Sequence, residues 1–253
     1  MQPERKPRAA FFDFAGCEGD QLQVANLEEK LLDLLEIVDI VRFREVMSEK
    51  PDDYNIAFIE GSVTTDHDAA RLREIRENAD IVVAIGSCAT IGGINAIRNA
   101  QDPEMVRKRV YGDDADMVET WDSAKPIHAV IDVEYKVHQC PIDRDEFMHV
   151  VKSIVMGREP FIPDYPVCVE CKLNENICAF ERGAFCVGPV TRAGCNAACV
   201  NEGQICWGCR GLIDNPNEDA HRDVLEKYGL APEDVINKFS LYFTWQMEAR
   251  DNE

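Results

Sequence analysis

Eight of the eleven cysteines fall between residues 168 and 209, and they are spaced like the ligands of metal centres. They form two groups, named here the Cys168 set and the Cys195 set: Cys168, Cys171, Cys178 and Cys186, then Cys195, Cys199, Cys206 and Cys209. Each group contains a Cys-x-x-Cys pair, and four thiolates complete the ligation of one [4Fe-4S] cluster. Zinc also binds four cysteines. The short loops and small residues between the thiols favour iron–sulfur clusters, with zinc as the alternative.

The other three cysteines are far apart in the sequence, but each follows a predicted strand. Cys17, Cys88 and Cys140 each come within a few residues of the end of an apolar run. The carboxyl ends of parallel strands meet at one edge of a sheet, where ligands bind. We therefore expect the three thiols to converge on one site. Taken singly, each would instead be interpreted as a buried free cysteine.

The fourth ligand of this site is not an obvious cysteine. A Cys-x-x-Cys pair that starts at Cys17 would have its second thiol at position 20, where the chain has Asp20. We predict that the Asp20 carboxylate is the fourth donor, a harder ligand than thiolate that would change the redox properties of the site. The alternative is that Asp20 is only the N-cap of the next helix. The Cys17 set is defined as Cys17, Asp20, Cys88 and Cys140.

The first half of the chain alternates between strand-like and helix-like segments. Apolar runs predict strands at 9–14, 38–43, 55–59, 81–85 and 133–138. Helical spacing of apolar residues predicts helices at 20–37, 67–79 and 143–156, and one more that begins at residue 91. Continuous apolar strands are typical of parallel sheets that are covered on both faces. We predict an α/β fold with a flavodoxin-like doubly wound parallel sheet for residues 1–156.

A proline-rich stretch at 157–166 marks a domain boundary. Residues 157–253 are predicted to form a small, irregular, ferredoxin-like iron–sulfur domain, with a tail of two short helices around 229–232. The cysteine-rich segment shows little hydrophobic periodicity. We therefore expect it to have a thin core and to depend on bound metal for folding.

Composition excludes several classes of function. The net charge is −20, and a surface this acidic repels phosphate, so we expect no nucleic-acid partner. The chain lacks an apolar run long enough to span a membrane, and its first ten residues do not look like a secretory signal. We expect a cytoplasmic protein. The five histidines form no metal-ligand pair and no hydrolase signature stands out, so no catalytic residue is predicted.

Six segments resemble the small subunit of [NiFe] hydrogenases, especially the soluble, NAD(P)-linked sulfhydrogenase type. In family order they are GCEGDQLQVANLEE (16–29), IAFIEGSV (56–63), IVVAIGSCATIGG (81–93), HQCPID (138–143), DYPVCVECK (164–172) and GPVTRAGCNAACVNEGQICWGCRG (188–211). They cover nearly the whole chain, so the resemblance does not depend on one short motif.

The resemblance implies three iron–sulfur clusters, all [4Fe-4S] in the family pattern. The Cys17 set matches the proximal cluster, the Cys195 set the medial cluster and the Cys168 set the distal cluster. The family's usual fourth proximal ligand is a cysteine, so Asp20 is a departure. Some oxygen-tolerant hydrogenases are known for a proximal cluster with three cysteines and one aspartate.

The resemblance also implies an electron-transfer subunit. Hydrogen would be cleaved at the Ni–Fe site of a large subunit, and electrons would pass along the clusters to a diaphorase-type flavin and iron–sulfur subunit that uses NAD(P). One alternative is a complex without hydrogenase activity, such as respiratory complex I, whose related subunit shares the fold but lacks the eight-cysteine segment. A second alternative is a zinc-stabilised scaffold without a redox role.

Overall fold

The computed structural model describes residues 6–230 and 241–251, which fall into two units, Met1–Phe161 and Ile162–Glu253. The sequence placed the boundary slightly earlier, between residues 156 and 157. The residues that follow the last helix of the first unit fold back onto it: Arg158 N donates to Ser153 O at 2.9 Å, and Phe161 N donates to His149 Nε2 at 3.2 Å. They therefore belong with the first unit.

The first unit is built on a five-stranded, fully parallel sheet in the order β2-β1-β3-β4-β5. The strands are β1 (Arg8–Asp13), β2 (Asp39–Arg42), β3 (Ile56–Glu60), β4 (Ile81–Ile85) and β5 (Tyr135–Val137). This is the flavodoxin-like strand order, and the predicted fold class is confirmed. Four strands end level, because their last residues pair across the sheet: Asp13, Glu60, Ile85 and Val137. The loops that follow them therefore emerge side by side.

Helices cover both faces of this sheet. They are α1 (Gly19–Ala25), α2 (Glu29–Ile37), α3 (Asp66–Asn78), α4 (Gly86–Ile91), α5 (Pro103–Tyr111) and α6 (Arg144–Val155). Three short 3₁₀ helices lie between α4 and β5, at Gly93–Ala100, Gly112–Met117 and Ile127–Ala129. Within the described residues, no helix is long and apolar enough to cross a membrane.

Two of the helix predictions need correction. The predicted helix at 20–37 is two helices, because Glu28 adopts φ +57 and interrupts it, while Leu27 is buried in the connecting turn and so continues the apolar spacing. The helix predicted to begin at residue 91 is a 3₁₀ helix at Gly93–Ala100, and a separate helix, α4, precedes it. Gly86, at φ +82, lets α4 begin directly after β4.

Strand side chains alternate between two buried layers. Phe11 and Phe58 belong to the core on one face of the sheet, and Phe12 and Ile59 belong to the core on the other. This alternation explains why the strands are continuous apolar runs in the sequence.

The second unit has a larger apolar core than the sequence indicated. It contains α7 (Val167–Leu173), α8 (Ala198–Asn201), α9 (Glu218–Lys227) and α10 (Thr244–Asp251), with a short 3₁₀ helix at Phe180–Arg182. Buried apolar residues from the cysteine segment and the tail pack together, among them Phe180, Phe185, Val190, Leu212 and Phe243. The expected thin core is therefore wrong: most of these buried apolar groups come from the cysteine segment itself, and the tail adds Leu225 and Phe243. The tail turn was expected at 229–232, and residues 231 and 232 lie outside the described residues.

The aromatic centre of the first unit yields a stability prediction. The Phe11 ring lies 4.4 Å from that of Phe43 and 4.8 Å from that of Phe58, between centroids. We expect Phe11→Ala to lower the free energy of unfolding by about 3–5 kcal/mol, because it leaves a cavity among packed rings. Guanidinium unfolding measures this. The control is Phe161→Ala, which changes an exposed ring and should cost less than about 0.5 kcal/mol. Equal losses would contradict the prediction.

Candidate metal centres

Three cysteines follow the level strand ends of the first unit. Cys17 lies in the loop after β1, Cys88 is the third residue of α4 directly after β4, and Cys140 follows β5. The loops after β4 and β5 are joined, since Ser87 N donates to Gln139 O at 2.9 Å. The sheet thus carries three thiols, distant in sequence, to the same edge.

The four members of the Cys17 set are close enough to influence one another electrostatically. Burial raises the pKa of the Cys88 thiol to about 12, and the negative charges of Cys140, Asp20 and Cys17 raise it further. A buried thiol of this kind stays neutral unless positive charge compensates it, as a bound metal does.

Asp20 is in the first turn of α1, and it does not cap that helix. The N-cap is Glu18, whose backbone has φ +62 and whose side chain makes no capping hydrogen bond. The interpretation of Asp20 as an N-cap is therefore wrong. The Asp20 carboxylate is only 5% exposed, and its Oδ1 accepts a hydrogen bond from Ile142 N at 2.8 Å.

Glu60 performs the capping that the sequence assigned to Asp20. It is the last residue of β3, and its two carboxylate oxygens accept from Asp20 N at 3.2 Å and Gln21 N at 2.8 Å. Burial raises the pKa of Asp20 to about 7, the charge of Glu60 raises it too, and the bond from Ile142 lowers it. Sequence reasoning missed Glu60. The sequence feature that could have indicated it is an acidic residue at the end of an otherwise apolar strand, Ile56–Glu60.

Glycines leave space around these donors. A Cβ on Gly86 would lie 1.7 Å from Asp20 Oδ2, and one on Gly93 would lie 3.0 Å from Cys88 Sγ. A Cβ on Gly19 would lie 3.3 Å from Cys17 Sγ. The side chains of the Cys17 set thus lie against bare backbone, which fits a site that must hold a bulky group.

The Cys168 set is also gathered in one place. Cys168 and Cys171 are on α7, Cys178 comes before the 3₁₀ helix at Phe180–Arg182, and Cys186 is buried. Burial raises the pKa of Cys168 to about 12, and the other three thiols raise it further. A Cβ on Gly188 would lie 3.4 Å from Cys186 Sγ and 3.5 Å from Cys168 Sγ, so glycine leaves room here too.

One member of the Cys195 set, Cys206, lies beside Cys186 of the Cys168 set. Cys206 N donates to Cys186 Sγ at 3.4 Å. Burial raises the pKa of the Cys206 thiol, and the negative charges of Cys186 and Cys209 raise it further. Cys195 precedes α8 and is half-buried, whereas Cys199 is exposed on α8. A turn joins these two, with Ala198 N donating to Cys195 O at 3.1 Å.

All eleven cysteines are free thiols. In the part of the chain that the structure describes, no three His, Cys, Asp or Glu side chains form a group that could hold a metal ion. A [4Fe-4S] cluster takes one ligand for each of its four irons, so its ligands need not meet at one point.

Comparison with known proteins identifies the family. Residues 17–154 match the family model described as NADH ubiquinone oxidoreductase, 20 Kd subunit. The chain is 35% identical over 236 residues to the delta subunit of sulfhydrogenase 2 from Pyrococcus furiosus, across 92% of this chain and 98% of that one. It belongs to the [NiFe] hydrogenase small-subunit family. The predicted resemblance is confirmed.

Two other similar proteins support the assignment of this chain to the family. A subunit of the F420-non-reducing vhu hydrogenase from Methanococcus voltae is 32% identical, across 83% of each chain. The solved structure of an NAD⁺-reducing [NiFe]-hydrogenase in the H₂-reduced state matches with a TM-score of 0.57 at 30% identity, over 63% of this chain and 96% of that one.

The contact between Asp20 and Gly86 can be tested by substitution. Gly86→Ala should destabilise the hydrogenase subunit by about 1–3 kcal/mol more than Gly112→Ala, because the new methyl group overlaps Asp20 Oδ2 and must displace that carboxylate. If Asp20 binds iron, the variant should also contain less iron. Gly112 is the matched control, since it also has positive φ but nothing lies within 4 Å of its added Cβ. Unfolding free energy and iron content measure the effect. Equal behaviour of the two variants would refute this role of Gly86.

Proposed function

We propose that this chain is the electron-transfer subunit of a [NiFe] hydrogenase and carries three iron–sulfur clusters. The observation that carries the proposal is the collection of soft thiolate donors in both units, with glycine backbone against them. The proposed ligands are the Cys17 set for the proximal cluster, the Cys195 set for the medial one and the Cys168 set for the distal one. Such clusters, when bound, accept and release single electrons.

Backbone amides offset part of the cost of burying a thiolate at Cys186. Burial raises the pKa of the Cys186 thiol, and hydrogen bonds from the backbone N–H groups of Gly188 and Cys206 lower it. Amide donors stabilise a thiolate and the extra charge of a reduced centre. The apolar surroundings exclude water, which lowers the local dielectric and strengthens these interactions.

We propose two kinds of partner. A large subunit with the Ni–Fe site would lie against the edge of the sheet that carries Cys17, Cys88 and Cys140. A diaphorase-type flavin subunit that uses NAD(P) would exchange electrons with the relay. The NAD⁺-reducing hydrogenase among the similar structures supports this acceptor, whereas the name of the vhu relative says only that its complex does not reduce F420. Eleven free cysteines favour a reducing, cytoplasmic setting.

A second candidate is a subunit of a respiratory complex without hydrogenase activity. The family model supports it, because that model carries the name of an NADH ubiquinone oxidoreductase subunit and matches residues 17–154. The second unit favours the hydrogenase, since its eight cysteines lie beyond the matched range, whereas the sulfhydrogenase delta subunit is matched over 92% of this chain.

Iron analysis tests the proposal directly. Protein prepared without oxygen should contain about twelve irons per chain, since three sets of four donors each hold about four. Metal analysis and the reduced-state electron paramagnetic resonance (EPR) spectrum measure this. Zinc in place of iron, or fewer than about eight irons, would contradict the proposal.

Asp20 variants test its proposed role as a ligand. Asp20→Cys should keep the proximal cluster and shift its reduction potential, since thiolate replaces carboxylate. Asp20→Asn has the same size and an oxygen that can accept from Ile142 N, but it is a poor iron ligand. We expect it to change the spectrum and potential of this cluster. A redox titration followed by EPR makes the comparison, with the signals of the other clusters as internal controls. If Asp20→Asn matches the parent protein, Asp20 has only a structural role.

A further inference from the structure

Glu170 connects the helix that carries one cysteine set to the loop that carries the other. It lies on α7, between the first two thiols of the Cys168 set. Its Oε1 accepts from Gly194 N at 2.7 Å, and its Oε2 accepts from Ala197 N at 3.2 Å. These two amides flank Cys195. One carboxylate therefore holds both sides of a thiol that belongs to the neighbouring set.

The loop around Cys195 needs such support because its backbone is strained. Asn196 has φ +51 and Ala197 has φ +52, in the left-handed region, and Gly194 has φ +114. Non-glycine residues in such conformations cost about 1–3 kcal/mol each and persist only where their surroundings fix them. A second support comes from the end of α7, where Asn174 Nδ2 donates to Asn196 O at 2.9 Å.

A buried cation holds the same loop. Arg210 is 1% exposed, and its Nε donates to Ala193 O at 2.6 Å. A Cβ on Gly194 would lie 2.3 Å from Arg210 Nη2, so the guanidinium packs directly on the backbone. Burial raises the pKa of the Cys195 thiol, the charge of Glu170 raises it further, and the charge of Arg210 lowers it. The Glu170 carboxylate and the Arg210 guanidinium both bind backbone next to Cys195, so both charges lie close to this residue.

We propose that Glu170 is a positioning residue that fixes the Cys195 loop from α7, and that its negative charge lowers the reduction potential of the cluster held by the Cys195 set. Reduction adds an electron, and a nearby anion disfavours that added charge. The positioning part follows from the hydrogen bonds alone. The redox part rests on the proposed function, because it requires the cluster.

The experiment compares three variants of Glu170 with one control, all in the full chain purified without oxygen with its copurifying subunits. Glu170→Ala removes both acceptors, Glu170→Gln removes the charge and one acceptor, and Glu170→Asp keeps the charge. The control is Glu226→Gln, which removes one charge from an exposed position on α9. Hydrogen–deuterium exchange follows the amides of residues 193–198, and an EPR-monitored redox titration follows the clusters.

Exchange at residues 194 and 197 should rise in Glu170→Gln and rise more in Glu170→Ala. The midpoint potential of one cluster should shift to a more positive value in Glu170→Gln, with a smaller shift in Glu170→Asp. Glu226→Gln should match the parent protein in both measurements. If Glu170→Ala loses the iron of one cluster while the other variants keep theirs, this result also supports the proposal.

Unchanged exchange in Glu170→Ala would overturn the positioning role, and unchanged potentials in Glu170→Gln would overturn the electrostatic role. Failure of the proposed function gives a different result: the parent protein itself would show no iron–sulfur spectrum. In that case the redox role fails with it, while the exchange measurement still decides the positioning role.

Discussion

The first candidate site depends on one buried residue, Asp20, whose carboxylate and backbone amide contact residues at or after the ends of three strands. Asp20 accepts from Ile142 N after β5, its own amide donates to Glu60 at the end of β3, and its Oδ2 packs against Gly86 after β4. Asp20 itself lies in the first turn of α1, which follows the loop after β1. The sheet brings these segments to one edge, and Asp20 links them there. It is a structural centre of the site whether or not it binds iron.

The two units position cysteines by different physical means. In the first unit a parallel sheet does so, because strands that end level release their loops at one edge. In the second unit, loops with little regular structure are held by single side chains, and Glu170 and Arg210 both bind the loop of Cys195. Thiolates of the first kind are placed by the core of the fold. In the second unit, Cys186 and Cys206 are part of the apolar core, whereas the loop of Cys195 depends on these hydrogen bonds.

Much of the fold of the first unit could be predicted from the sequence, because its apolar segments have a strong local periodicity. Ile81–Ile85 forms a strand as predicted, because a strand buried on both faces is apolar throughout. The break at Glu28 could not be predicted, since Leu27 stays buried through the turn and preserves the helical spacing. Glu60 was missed because its role comes from contact with a helix about forty residues earlier in the chain, which local patterns do not report. The core of the second unit was missed because its apolar residues, such as Phe185 and Val190, lie in loops without helical or strand spacing, and Phe243 joins them from the tail.

The same contacts show why an aspartate suits position 20. A thiol there has one sulfur, whereas the carboxylate has two oxygens with different neighbours: Oδ1 faces the amide of Ile142, and Oδ2 faces the bare backbone of Gly86. Each carboxylate oxygen has two lone pairs, so accepting one hydrogen bond leaves capacity for a metal. Bridging the strand ends and binding iron are therefore compatible in one side chain. In a cysteine at this position one sulfur would have to bind iron and accept from Ile142 N, whereas the aspartate has a separate oxygen for each task.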